Sequence, residues 1–228
     1  MSRVNFSQIF AKYKMLGKSN VRLTQSSIYL TKPINPNVTT YSFDVLETQT
    51  ATLQNDELRV NINDEFYLTT LGLYLVAEVK SDEVGTLQSQ ILLTYAPVEN
   101  SSSLVSVEDF YRGSLQLSVN NVVYLDKWDT AKHKIVPRTQ FSNFIALSNA
   151  QASIPSTEYS KNAMFPIEPI LQISGAKKNT IQVVIPNAIA TATFDVVADD
   201  ASVLTYTVTK VALLGRGLNA QNGSVFQG

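Results

Sequence analysis

Cysteine is absent from the 228 residues, and histidine and tryptophan occur once each, as His133 and Trp128. The missing thiols exclude disulfides, thiol nucleophiles and Cys-ligated metals, so stability has to come from core burial or assembly. A single histidine leaves no material for a multi-histidine metal centre. It could serve a Ser-His-Asp triad, but His133 reads more simply as a strand or loop residue with local hydrogen bonds. One tryptophan cannot make a glycan-stacking row. Charge is also scarce: 16% of residues are charged and 44% hydrophobic. Ser, Thr, Asn and Gln must therefore complete a surface that desolvates at low cost against a neighbour. No apolar run reaches the roughly 18 residues that a bilayer-spanning helix requires, and the opening MSRVNFSQIF lacks a signal-peptide core, so folding in a cytosol is expected.

Acidic side chains are missing from the first 43 residues, which hold Arg3, Lys12, Lys14, Lys18, Arg22 and Lys32. All 19 acids fall in the remainder, so a chain of net charge −1 has one end suited to a polyanion. That end reads as a short helix. Asn5 and Gln8 fit a cap and its capping partner, Phe6, Ile9, Phe10, Tyr13 and Leu16 recur at helical spacing, and Gly17 supplies a stop. Its apolar stripe needs a partner, either its own domain, with the lysines solvated, or an acidic surface. Under the second reading Arg3, Lys12, Lys14 and Lys18 face packaged nucleic acid or acidic lipid.

Beyond Gly17 the hydrophobic period becomes that of strands. Strand-like segments follow at Val21–Thr31, Tyr41–Leu46, Leu58–Asn63, Phe66–Val79, Gln90–Tyr95, Leu115–Val119, Val122–Tyr124, Ile170–Ile173, Thr180–Ile185, Thr191–Val197 and Val203–Leu214. Gly72 is expected to mark a bend or bulge in the longest of them. Val105–Tyr111 suggests one or two helical turns. Asn120-Asn121 is a hairpin signal, because two Asn residues can occupy the left-handed positions of a type I′ turn. About ten to twelve strands with two brief helices and no βαβ rhythm predict an all-β antiparallel β-sandwich of jelly-roll type. The expected organisation is a basic amphipathic helix or arm over 1–18, a body over 19–214 with an irregular excursion over 126–166, and a flexible tail over 215–228.

The remaining chemistry is thin. Acid pairs occur at Asp64-Glu65, at Asp126 with Asp129, and at Asp199-Asp200; strand neighbours point to opposite faces, so Asp199-Asp200 reads as a solvated turn and not as a Ca²⁺ site, which needs several converging oxygens. Gly175-Ala176-Lys177-Lys178 lacks the Gly-rich approach and the following Ser or Thr of a phosphate loop. No catalytic, cofactor or metal residue is assigned.

The order of Leu58-Arg59-Val60-Asn61-Ile62-Asn63-Asp64-Glu65-Phe66, Leu71-Gly72-Leu73-Tyr74-Leu75, Tyr95-Ala96-Pro97, Phe110-Tyr111-Arg112-Gly113, Val136-Pro137-Arg138-Thr139-Gln140, Ile173-Ser174-Gly175, Asn179-Thr180-Ile181 and Ile185-Pro186 carries a resemblance. Over residues 20–215 the chain resembles major capsid or related virion proteins of tailless icosahedral bacteriophages of Bacteroidetes-type hosts. The resemblance implies a jelly-roll shell subunit, in some such phages of trimeric double form around an internal membrane. At 228 residues a single jelly roll fits better than a compact double one. It also implies no enzyme activity and no small-molecule substrate. Copies of itself and other virion proteins would be its partners, and the virion, assembled in the host cytoplasm, its location. Two other readings stay open: a phage fibre, cement or adhesion protein on the same sandwich, and a secreted β-sandwich enzyme whose acids meet in one cleft.

Overall fold

The computed structural model describes residues 6–15, 21–46, 57–81, 87–94, 108–135, 163–197 and 203–222. Among these, helix α1 (Phe6–Met15) is followed by ten strands: β1 (Val21–Pro33), β2 (Thr40–Asp44), β3 (Glu65–Ser81), β4 (Leu87–Leu93), β5 (Ser114–Val119), β6 (Val122–Asp129), β7 (Phe165–Ser174), β8 (Asn179–Val184), β9 (Ala192–Val197) and β10 (Val203–Asn222). A 3-10 turn, Thr130–His133, follows β6. The chain is all-β, with two multi-stranded antiparallel sheets and a short N-terminal helix.

The larger sheet is organised on its two longest strands, β3 and β10, paired from Glu65↔Ala220 to Ser81↔Leu204. The far edge of β10 is shared end to end by β1, along Lys210–Asn222, and β9, along Val203–Val208. The far edge of β3 is shared likewise by β7 and β4. The smaller sheet runs β2-β8-β5-β6. Its β5–β6 hairpin turns through Asn120 (φ 50°) and Asn121 (φ 63°), with Val119 opposite Val122. These are the left-handed conformations that an Asn-Asn pair tolerates, as its spacing predicts.

One apolar cluster joins the two sheets. Ile28, Leu30, Leu71, Leu73, Leu75, Val211 and Leu213 of the larger sheet meet Phe43, Leu115, Leu117, Ile181 and Val183 of the smaller. Two bulges decide which residues enter it. On β3, Leu68 faces Gly217 and Thr70 faces Arg216, so Thr69 is an extra residue. The inward set therefore changes from Phe66 and Leu68 to Leu71, Leu73 and Leu75. On β10 an extra Thr209 switches it from Tyr206 and Val208 to Val211 and Leu213. Had the same sequence kept unbroken alternation, Thr70, Gly72 and Lys210 would point into the core.

The bulges correct the expectation at Gly72, where the ladder is regular. A Cβ on Gly72 would lie 2.5 Å from Met164 Sδ and 2.7 Å from the Tyr74 hydroxyl, so this glycine makes room on the outer face. The flexible tail expected from Gly215 is corrected as far as Asn222, because those residues are the end of β10, held by β1 on one side and β3 on the other. Gly217 is required there: a Cβ would fall 1.9 Å from the Tyr67 carbonyl oxygen. The irregular excursion expected over 126–166 also narrows, since β6 continues to Asp129 and β7 begins at Phe165. Residues 136–162 lie outside the described set, as do 223–228. Leu58–Asn63 forms no strand; Leu58 and Val60 make single bridges to Tyr29 and Leu46.

Candidate interaction surfaces

Helix α1 lies on the outer face of the larger sheet. Ile9 and Tyr13 of its apolar stripe are buried against Tyr67, Leu218 and Ala220, with Val21, Leu23 and Ile170 around them. Glu65 and Tyr67 are two apart on β3 and so share this face. The Glu65 carboxylate accepts hydrogen bonds from the Tyr13 hydroxyl (2.6 Å), the Gln172 amide (2.6 Å) and the Tyr67 hydroxyl (3.2 Å). Lys12 donates to Gln172 Oε1 and stands 3.8 Å from Glu65 Oε2. The Tyr13 and Tyr67 rings meet edge-on at 6.5 Å. Burial, and then the hydrogen bond to Glu65, holds the Tyr13 phenol far above its ordinary pKa. The cluster therefore keeps its phenols protonated as donors.

This arrangement bears on the residues expected to face a polyanion. Lys12 is turned to the sheet and shares its charge with Glu65, whereas Lys14 is exposed. Arg3 and Lys18 lie outside the described residues. Ile9 and Tyr13 of the stripe have found their partner within their own chain, and the two lysines of the helix point to different surroundings.

A second covering lies further along the same outer face. Ala163, with Met164 and Ile135, packs over Tyr74, Val76 and Ala212. His133, wholly buried, fixes this segment. The Trp128 indole N–H donates to its Nε2 (3.0 Å), so the ring's proton sits on Nδ1 and is donated to the Ala163 carbonyl (2.9 Å). The ring also meets Phe165 edge-on at 5.4 Å. Burial is the main cause that depresses the His133 pKa, so the imidazole is neutral and engaged at both nitrogens. The bond to Trp128 is local, as expected for this histidine, whereas Ala163 lies 30 residues away, and neither nitrogen is left free for a base.

Between the two coverings is an open trough of about 640 Å³ lined by Gln25, Ser26, Ser27, Thr69, Arg216, Gly217 and Leu218. On the smaller sheet the contrast is apolar. Among the described residues strand β6 is an edge, and Val122, Val123 and Tyr124 are 56%, 46% and 58% exposed, with Val184 of β8 also exposed. An edge strand offers unpaired backbone groups, and one bearing consecutive large apolar side chains is a template for another chain.

The acid pairs separate as strand geometry requires. Asp64 accepts from the Asn219 amide (2.7 Å) while Glu65 serves the helix. Asp129 caps the 3-10 turn through Ala131 N–H (2.9 Å), and Asp126 accepts from Gln116 (3.3 Å). Asp199-Asp200 lies outside the described residues. Among the described residues no three His, Asp or Glu side chains gather as metal ligands, and no helix is long and apolar enough to cross a membrane. The Glu65 cluster, the Trp128–His133 pair and the apolar β6 edge were not singled out by sequence reasoning. Only the last left a signal, the run Val122-Val123-Tyr124 directly after a turn.

No protein-family model, curated protein or solved structure matches this chain.

Proposed function

We propose that this chain is a structural virion protein, a capsid shell subunit built as a single jelly roll. It assembles with copies of itself and other virion proteins around a genome or an internal membrane. The observation that carries the reading is the pairing order. With β4 and β9 set aside, eight strands remain in chain order, and β1 pairs with β10, β2 with β8, β3 with β7, and β5 with β6, each antiparallel. First pairs with last, second with seventh, third with sixth and fourth with fifth. This order supports the jelly-roll reading, in which one long antiparallel ribbon places successive pairs in alternate sheets.

A fold of this kind also serves lectins and other binding proteins, so the functional step rests on the surface. Support comes from the low charge, the resemblance to phage virion proteins, and the apolar β6 edge, whose coverage by a neighbour would remove an aggregation hazard. Of Arg3, Lys12, Lys14 and Lys18, Lys14 is the described residue left exposed to a polyanion.

The test is electron microscopy and sedimentation of the full chain, beside a Val123→Lys variant. Shells or capsomers are expected from the wild type, with assembly reduced at least tenfold in the variant and thermal stability nearly unchanged. A wild type that stays single at all concentrations overturns the reading. Closed-shell-free trimers that bind phage particles or glycans would favour a fibre, cement or adhesion protein instead.

A further inference from the structure

The geometry points to His133 as a proton-operated latch: protonating its ring releases the 130–135 turn and Ala163–Met164 from the outer face of the larger sheet. The inference does not depend on an assembly role.

The latch works because both ring nitrogens are committed. Nδ1–H donates to the Ala163 carbonyl, and Nε2 is an acceptor that receives the Trp128 indole N–H. An imidazolium carries protons on both nitrogens, so two donors would then face each other across the present 3.0 Å. The bond between Trp128 at the end of β6 and the turn that carries His133 cannot survive that change, whereas the Nδ1–H bond to Ala163 persists, so the turn and Ala163–Met164 leave together. The new charge would also sit on a wholly buried ring with no carboxylate bonded to it.

The surroundings compensate only in part: the Ala163 carbonyl, accepting from Nδ1–H, favours the cation, and burial outweighs it. Lys132, whose ammonium lies 4.4 Å above the Trp128 ring, opposes protonation, and Asp129 favours it from the exposed cap of the turn. Lys134 is engaged with Glu108. Ala163 and Phe165 bring no charge, and Tyr74 on β3 is a neutral phenol whose pKa burial pushes up to about 12. Desolvation is the largest influence on the histidine, and it acts against the cation.

Linkage fixes the direction. In the closed state the ring holds its proton less readily than a solvated histidine, so protons favour the open state as pH falls below about 6.5. The open-to-closed ratio then rises by as much as about tenfold per pH unit, down to the closed-state pKa. Opening uncovers Tyr74, Val76 and Ala212, an apolar strip beside the trough at Arg216.

One histidine and one tryptophan make the test clean. Nuclear magnetic resonance of the full chain would follow the His133 ring nitrogens and the Trp128 indole N–H from about pH 7.5 to pH 4.5. The Nδ1–H tautomer is expected at the upper end, and both signals should shift with one midpoint below 6.5. Amide exchange at 131–135 and 163–165, corrected for intrinsic rate, should accelerate while the β3 and β10 amides stay protected. In His133→Gln, a neutral side chain with an acceptor, that transition should vanish. A ring that titrates at 6.5 or above, or an indole signal indifferent to it, overturns the latch. So does loosening that coincides with loss of the strand amides. If the Gln variant does not fold, the wild-type titration decides alone.

Discussion

Removing the Tyr13 hydroxyl asks whether α1 is held to the larger sheet by its polar cluster or by its apolar stripe alone. In Tyr13→Phe the ring and its edge contact with Tyr67 remain, and Glu65 loses one of three donors. A hydrogen bond to a charged group contributes about 1.5–3 kcal/mol. Gln172 and Tyr67 still satisfy the carboxylate, so a loss of about 1.5 kcal/mol is expected, a fall in Tm of about 3–6 °C for a chain of this size. Glu65→Ala removes the carboxylate acceptor from Tyr13 and Gln172 and leaves Tyr67 only the Tyr13 hydroxyl, 3.1 Å away, so it should cost about 3 kcal/mol. Because the two changes delete one shared bond, the double variant should lose about 1–1.5 kcal/mol less than the sum. Denaturant unfolding of the four proteins, with calorimetry as a check, measures the cycle. Additivity within about 0.5 kcal/mol, with Tyr13→Phe as stable as the wild type, would refute the argument and leave docking to Ile9 and the aromatic ring.

At high pH, burial raises the pKa values of Tyr13, Tyr41, Tyr67, Tyr74, Tyr111 and Tyr206. The folded chain then keeps protons that the unfolded chain releases, so their contribution is intact below about pH 10 and is lost above it, by up to about 1.4 kcal/mol per pH unit for each. Phenolate absorbance should show these six ionising only with unfolding; smooth titration of all ten tyrosines near pH 10 would contradict this. In the β5–β6 hairpin, Asn121→Gly should be neutral or stabilising by up to about 1 kcal/mol, and Asn120→Val destabilising by about 1–2 kcal/mol, by thermal unfolding. Equal effects of the two would refute the turn assignment. Leu73→Ala, in the cluster shared by the two sheets, should cost about 3–5 kcal/mol in denaturant unfolding; a loss under about 1 kcal/mol would mean that the sheets do not pack there.

The all-β character and most strands were legible because side-chain alternation reports one buried face directly. Asn120-Asn121 was readable for a local reason, its tolerance of positive φ. Other elements depended on distant partners. The strand expected at Ile170–Ile173 extends back to Phe165 across Pro166 and Pro169, which β7 can hold because, among the described residues, it pairs on one side alone, with β3. Gly215 and Gly217 resembled a loose tail, but their missing side chains admit Ile28, Leu68 and the Tyr67 carbonyl. The bulges at Thr69 and Thr209 are properties of a register between strands over a hundred residues apart, which no local pattern reveals. The surfaces were harder still. Glu65, Tyr67 and Gln172 acquire a shared role only when α1 lies across them, and His133 meets Trp128 locally but Ala163 only through the fold.

The place of β10 has a consequence for biosynthesis. It lies between β1 and β3, and Val21 is opposite Asn222. Emerging from the ribosome, β1 must wait while some 200 residues are made, on the order of ten to forty seconds at ordinary elongation rates. During that interval β1 and β3 each lack the strand that finally separates them. A nascent chain with two unsatisfied flanks is a natural client for chaperones, and its yield should depend on how quickly translation reaches the last strand.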